Sequence, residues 1–167
     1  MNGLRTVICA GLVVFAILGA RGVPAAQTPP ARVTLADALK LIDVAQKEAT
    51  SKNFRLSFAV VDARGDLIAV ARMPGAGAAT PDTAIGKAML SAILGQPSAA
   101  LVQRATSPIL QGLNEATGGR LRFLQGALPI VRSGLTVGAV AASGATAQQD
   151  EDTVRAALAT LTGTTLQ

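Results

Sequence analysis

The chain has 167 residues, half of them hydrophobic but only 2% aromatic, with a formal charge of +5 and no His, Trp or Tyr. That length accommodates one domain with a core of its own, built here from Ala, Val, Leu and Ile. The missing imidazole and phenol remove the commonest general base, the commonest metal ligand and the usual haem ligands. Scattered basic residues without interleaved aromatics argue against nucleic-acid binding.

The N-terminus reads as a leader. Arg5 precedes an apolar run, Thr6–Ala20, and Val23-Pro24-Ala25 is a small-residue cleavage pattern. This predicts a secretory signal peptide over residues 1–25, with cleavage after Ala25 or Ala26. A membrane anchor is the alternative, but the run falls short of the roughly 20 residues a span needs, and Arg21 interrupts it. The mature protein is then exported, to the periplasm or the medium, and holds no membrane segment. Losing Arg5 and Arg21 takes the formal charge from +5 to +3. The single cysteine, Cys9, leaves with the leader, so no disulfide or thiolate chemistry remains.

Residues 26–33 are a Pro-containing, mobile lead-in, and residues 34–163 are the folded domain. Thr34 and Asp37 form a capping-box-like start. Leu35, Leu39, Ile42, Ala45 and Ala49 recur at helical spacing and predict a core-facing helix to about Ser51, ended near Asn53. Arg55–Asp62 alternates, with Leu56, Phe58 and Val60 on one side and Ser57, Ala59 and Val61 on the other. Residues 63–66 turn the chain into a second strand, Leu67–Arg72. Met73–Ala79 is a loop. Thr80-Pro81-Asp82 opens a helix with Thr80 as its N-cap. Ala84, Ile85, Ala88, Met89, Ala92 and Ile93 give it an apolar stripe, and Gly95 and Pro97 end it.

Ser98–Ala105 is a short helix. Ser107–Gly119 is ambiguous, with a helical turn inside it. Leu121–Leu124 reads as a short strand. The densest signal follows, over Gly126–Asp152. Leu128–Val131 and Leu135–Ala142 are apolar strands joined at Ser133-Gly134, a two-residue hairpin turn. A last helix begins at Thr146, with Gln149 completing a capping box and Val154, Leu158 and Leu161 facing the core. Strands joined by tight turns and interleaved with helices predict an α+β layered domain with an antiparallel sheet.

Four segments, VVDARGDLIAVARM, AIGKAMLSA, GALPIVRSGLTVGAVAASG and QDEDTVRAAL, together resemble the haem-binding or "haem-degrading" domain family. That family contains GlcG-type and HbpS-type proteins and the C-terminal domain of PduO-type proteins. The resemblance runs from about Val33 to Leu161. It implies a five-stranded antiparallel sheet flanked by helices, assembly into dimers or larger homo-oligomers, and a haem, tetrapyrrole or small-acid ligand in some members. One departure stands out: the family often has Glu-Gly-Gly before its apolar-Pro pair, where this chain has Gln125-Gly126-Ala127.

Arg72, Met73 and Lys87 match the family's Arg-Met loop and Lys-Ala helix. Together with Gly126 and Pro129 they are the expected ligand-binding residues, gathered around one cleft at the end of the sheet. Arg72 and Lys87 would pair ligand carboxylates, and Met73 would offer a thioether. The alternative is that both cations pair with Asp62, Asp66 or Asp82 and only stabilise the fold. Met89 fits the core.

Gly75-Ala76-Gly77 lacks the ending of a phosphate loop. Asp150, Glu151 and Asp152 point in different directions on a helix and read as cap residues, not a metal cluster. No Ser/His pair exists, and no catalytic or metal-binding residue is assigned. Three functions stand open. They are an exported binder of haem, another tetrapyrrole or a small organic acid; a structural or partner-interaction oligomer; and an enzyme, the least supported. Ala-rich faces on Leu135–Ser143 and on the second helix are expected to meet other subunits.

Overall fold

The computed structural model describes residues 32–164. The expected leader and most of the lead-in lie outside the described residues. Chain order is α1 (Leu35–Ser51), β1 (Ser57–Asp62), β2 (Leu67–Arg72), α2 (Thr80–Leu94), a 3-10 helix (Ser98–Arg104), α3 (Pro108–Ala116), β3 (Ala127–Arg132), β4 (Leu135–Ser143) and α4 (Ala147–Leu158). The strands form one four-stranded sheet in the order β2-β1-β4-β3, every neighbour antiparallel. It is an α+β fold with four strands among the described residues rather than the expected five. Leu121–Leu124 forms no strand because its backbone is engaged elsewhere. Leu121 N–H donates to Asn114 Oδ1 at 2.9 Å, and Arg122 N–H donates to the Gly86 carbonyl at 3.2 Å.

The alternation in β1 decides which helices cover which face. Phe58 and Val60 point with Leu128, Ile130, Val140 and Ala142 into a core closed by α1 and α4. Ala59 and Val61 point with Ala127, Ala139 and Ala141 into a second core closed by α2 through Ala84, Ala88 and Ala92. The Ala-rich faces of β4 and α2 therefore pack on each other within one chain. They do not offer the subunit contact expected of them, because small side chains let a helix settle close onto a sheet.

Several local signals act as expected. The Thr34 hydroxyl accepts from Asp37 N–H while the Asp37 carboxylate accepts from Thr34 N–H. Thr146 and Gln149 form the same reciprocal pair at α4. Ser133 and Gly134 have φ of 50° and 77°, the left-handed pair that a two-residue hairpin turn demands. Pro129 sits in β3, an edge strand, where its missing N–H costs little.

Two expectations are corrected. Thr80 is the first residue of α2, and Ala79 is its cap. The Thr80 hydroxyl is drawn off to the Gly77 carbonyl and the Ser57 hydroxyl, each at 2.7 Å. The buried stripe of α1 is Ala38, Leu41, Ile42, Ala45 and Ala49, while Leu35 and Leu39 stand 56% and 54% exposed. The stripe is rotated because α1 must also face α4, and Lys40 donates to the Thr160 carbonyl just beyond the end of α4.

Candidate functional site

The expected ligand residues fall at the end of the sheet where β1 and β3 begin. Of the five, only Arg72 is exposed; Met73, Lys87, Gly126 and Pro129 are buried. Arg72 ends β2, and Ser57 pairs with it on one side and with Ser143 of β4 on the other. The Arg72 guanidinium donates twice to the Ala76 carbonyl, at 3.0 and 2.6 Å, which folds the loop after β2 back on itself. Met73 packs among α1 and α4 core residues.

Lys87 lies on α2, on the other side of the sheet from Met73. Its ammonium is 3% exposed and donates to Asp150 Oδ2 at 2.8 Å and to the Ala142 carbonyl at 3.1 Å. Asp150 is equally buried, and its Oδ1 accepts from Ala145 N–H at 3.0 Å, at the start of α4. The pair thus ties α2, β4 and α4 together across 63 positions of sequence. Gly126 is part of this arrangement. Its φ is +124°, and a Cβ there would stand 2.8 Å from Lys87 Nζ and from Asp150 Cβ. Lys87 and Gly126 are therefore brought together, with Asp150 as the third member. Arg72 is on the opposite edge strand from Pro129, three strand spacings or roughly 14 Å across the sheet, and level with Ser57 while Pro129 is level with Val61.

The alternative pairing of both cations with Asp62, Asp66 or Asp82 is not formed either. Asp62 and Asp66 bind Arg64, and the partner of Lys87 is Asp150. Asp150, Glu151 and Asp152 diverge, to Lys87, to Arg155 and to Gln148. At the altered Gln125-Gly126-Ala127 segment, Gln125 Nε2 donates to Gln148 Oε1 at 3.0 Å. Ala127 sits in the strand and donates its N–H to the buried Ser98 hydroxyl at 2.9 Å. The smaller side chain of glycine is not needed at Ala127.

Open space lies elsewhere. At the other end of the sheet a groove of about 380 Å³ is lined by Arg32, Val33, Asp62, Ala63, Ile68, Leu135, Thr136 and Val137. Its walls are mostly apolar, and Leu135 stands 65% exposed on it. Such a volume is at the lower end of ligand pockets, about 300–1,000 Å³. Sequence reasoning missed this groove because its walls come from four segments with no shared motif. A second depression, about 180 Å³, lies between Asp82, Ile85, Arg120 and Arg122.

An axially ligated haem does not fit these residues. The thioethers of Met73 and Met89 are in residues 6% and 4% exposed, inside the two cores. The Lys87 ammonium is buried and paired, and the sequence contains no His or Tyr.

The chain has known relatives. An uncharacterised 15.0 kDa protein from the dhaT-dhaS intergenic region of Citrobacter freundii is 32% identical over 123 residues, 72% of this chain and 85% of the relative. Klebsiella pneumoniae protein ORFY superposes with a TM-score of 0.71 at 28% identity, covering 80% of this chain and 94% of that one. A double mutant of Streptomyces reticuli HbpS gives 0.70 at 28% identity, covering 92% and 99%. The family described as "Haem degrading protein HbpS-like" matches residues 33–159, so the chain belongs to the HbpS-like family.

Proposed function

We propose that the protein is an exported, oligomer-forming binder of a carboxylate-bearing small ligand, a tetrapyrrole or a small organic acid. Membership of the HbpS-like family supports the haem-related side of this reading. The leader-like segment up to Ala25 supports export. The observation that carries ligand binding is the groove beside Arg32. Val33, Ile68, Leu135 and Val137 present an apolar wall, and the Arg32 guanidinium provides a partner for one carboxylate at its rim. Asp62 on the lining disfavours a second carboxylate nearby. A tetrapyrrole bound here is held by its apolar face and a propionate, with no side-chain ligand on its iron. Arg72, an exposed residue whose guanidinium also holds the Ala76 carbonyl, is a further cation for a ligand at the opposite end of the sheet.

Titration with hemin and with octanoate tests this reading. We expect saturable binding of at least one, a Soret band without six-coordinate character, and at least ten-fold weaker binding in Arg32→Ala and Leu135→Asp. A six-coordinate, nanomolar hemin complex, or binding indifferent to both substitutions, refutes the groove. A second reading, a structural oligomer without ligand, is favoured by one observation: four of the five expected ligand residues are buried in the fold. Failure of both probes to bind selects it.

A further inference from the structure

The two edges of the sheet are treated differently. The β3 edge carries Pro129, and its far end is covered where Arg132 donates to the Arg32 carbonyl at 2.6 Å and meets Asp37 at 3.3 Å. Among the described residues the β2 edge has no such guard. It reads Leu-Ile-Ala-Val-Ala from Leu67 to Ala71, holds neither Pro nor Lys, and among the described residues pairs only with β1. An apolar strand with one row of backbone groups unpaired is a template for another strand.

Exposed apolar side chains gather along this edge. Leu67 and Val70 are 45% and 43% exposed, on the sheet face that α2 covers only further in. On the other face lie Ile68, packed at the rim of the α1 core, and α1, which contacts β2. Leu35 and Leu39 stand exposed on α1. Among the described residues, two of the seven exposed large apolar side chains, Leu67 and Val70, thus lie on β2 itself.

We propose that a second copy of this chain pairs its β2 antiparallel with this one, joining two four-stranded sheets into one of eight strands. The proposal deepens the oligomer reading above and rests on it. Charge selects the copy and its direction. The strand's start is flanked by Asp62, Arg64 and Asp66, which sum to one negative charge, and its end by Arg72 and Arg55. Arg55 lies near that end, because its side chain is 3.6 Å from where a Gly75 Cβ would be. Antiparallel pairing sets each negative end on a positive one, whereas parallel pairing sets like on like. The faces also match. The bulge opposite Val60 and Val61 puts Leu67 and Val70 on the α2 face and Ile68 and Ala69 on the α1 face. Leu67 can then lie beside the partner's Val70 and Ile68 beside the partner's Ala69.

Light scattering on the full mature chain, followed over about 1–100 µM, tests the pairing. We expect a dimer or larger species. Val70→Lys and Leu67→Lys are each expected to weaken assembly at least ten-fold while far-ultraviolet circular dichroism is unchanged. Ile109→Lys, on the 81% exposed residue of α3, should leave the mass as it was. Asp66→Arg should weaken assembly, because it sets a strand start of +1 against an end of +2, and adding Arg72→Asp should relieve that repulsion and recover part of the assembly, which a loss of folding would not do. A wild-type monomer at about 100 µM, including one that pairs its edge with some other protein, overturns both this proposal and the oligomer reading. An assembly that survives both lysine variants overturns the β2 surface alone.

Discussion

Replacing Lys87 by methionine is the sharpest test of how the sheet end is built. The substitution keeps an unbranched four-atom apolar stem and removes the ammonium. Asp150 is then left 3% exposed with a single remaining donor, the Ala145 N–H, and the Ala142 carbonyl loses its lysine partner. Stripping one member from a buried ion pair typically costs about 3–5 kcal/mol, because the other charge stays behind without compensation. For a domain whose total stability is about 5–15 kcal/mol, that is a large share. It lowers the midpoint of thermal unfolding by roughly 10–20 °C. Neutralising the orphan as well, with Lys87→Met and Asp150→Asn together, should recover about 2 kcal/mol or more, since the amide still accepts from Ala145. Urea unfolding followed by circular dichroism, at one fixed protein concentration, measures all four corners of this cycle. A Lys87→Met variant within about 1 kcal/mol of wild type refutes the argument. It would mean the ammonium is available to a ligand rather than committed to the fold.

Other consequences are measured in the same way. Gly126→Ala should destabilise by roughly 2 kcal/mol or more, since the left-handed backbone and the crowded Lys87 and Asp150 atoms both oppose a Cβ; an unfolding midpoint equal to wild type contradicts this. Met73→Leu should cost less than about 1.5 kcal/mol and leave any hemin spectrum unchanged, because the thioether is core packing; a shifted Soret band would return Met73 to the site. Acid sensitivity should fall partly on Asp37. Partial burial pushes its carboxyl up, but the Thr34 hydrogen bonds and the Arg132 guanidinium outweigh this and hold it below the ordinary value. A depressed carboxylate contributes stability above its unfolded pKa, about 3.9, and loses it as pH falls through the lower folded value. Asp37→Asn should therefore flatten the stability curve below about pH 4; a parallel curve rules the contribution out.

The stretch from Gly126 to Asp152 was legible because each of its signals is local. The turn needs left-handed backbone at two adjacent residues, and Ser133-Gly134 supplies it. The cap needs a hydroxyl and an amide three apart, and Thr146 and Gln149 supply them. The alternation in β1 likewise assigned its two faces correctly. What escaped was set by distance in sequence. Nothing near Lys87 announces Asp150, and nothing near Asp150 announces a lysine. Leu35 and Leu39 fitted helical spacing as well as the true stripe, and only the docking of α4 beside α1 decides between them. Leu121–Leu124 is apolar enough for a strand, but Asn114 and Gly86 capture its backbone first.

The strand order has a consequence for the chain's early life. The sheet is two hairpins, β1–β2 and β3–β4, and its central seam joins β1 to β4. Ser57 meets Ser143 across that seam, so the first hairpin waits for most of the polypeptide before it gains its inner neighbour. Contacts so remote in sequence form late. Until β4 is made, the inner edge of β1 stays open, and a single late seam turns two separate hairpins into one sheet.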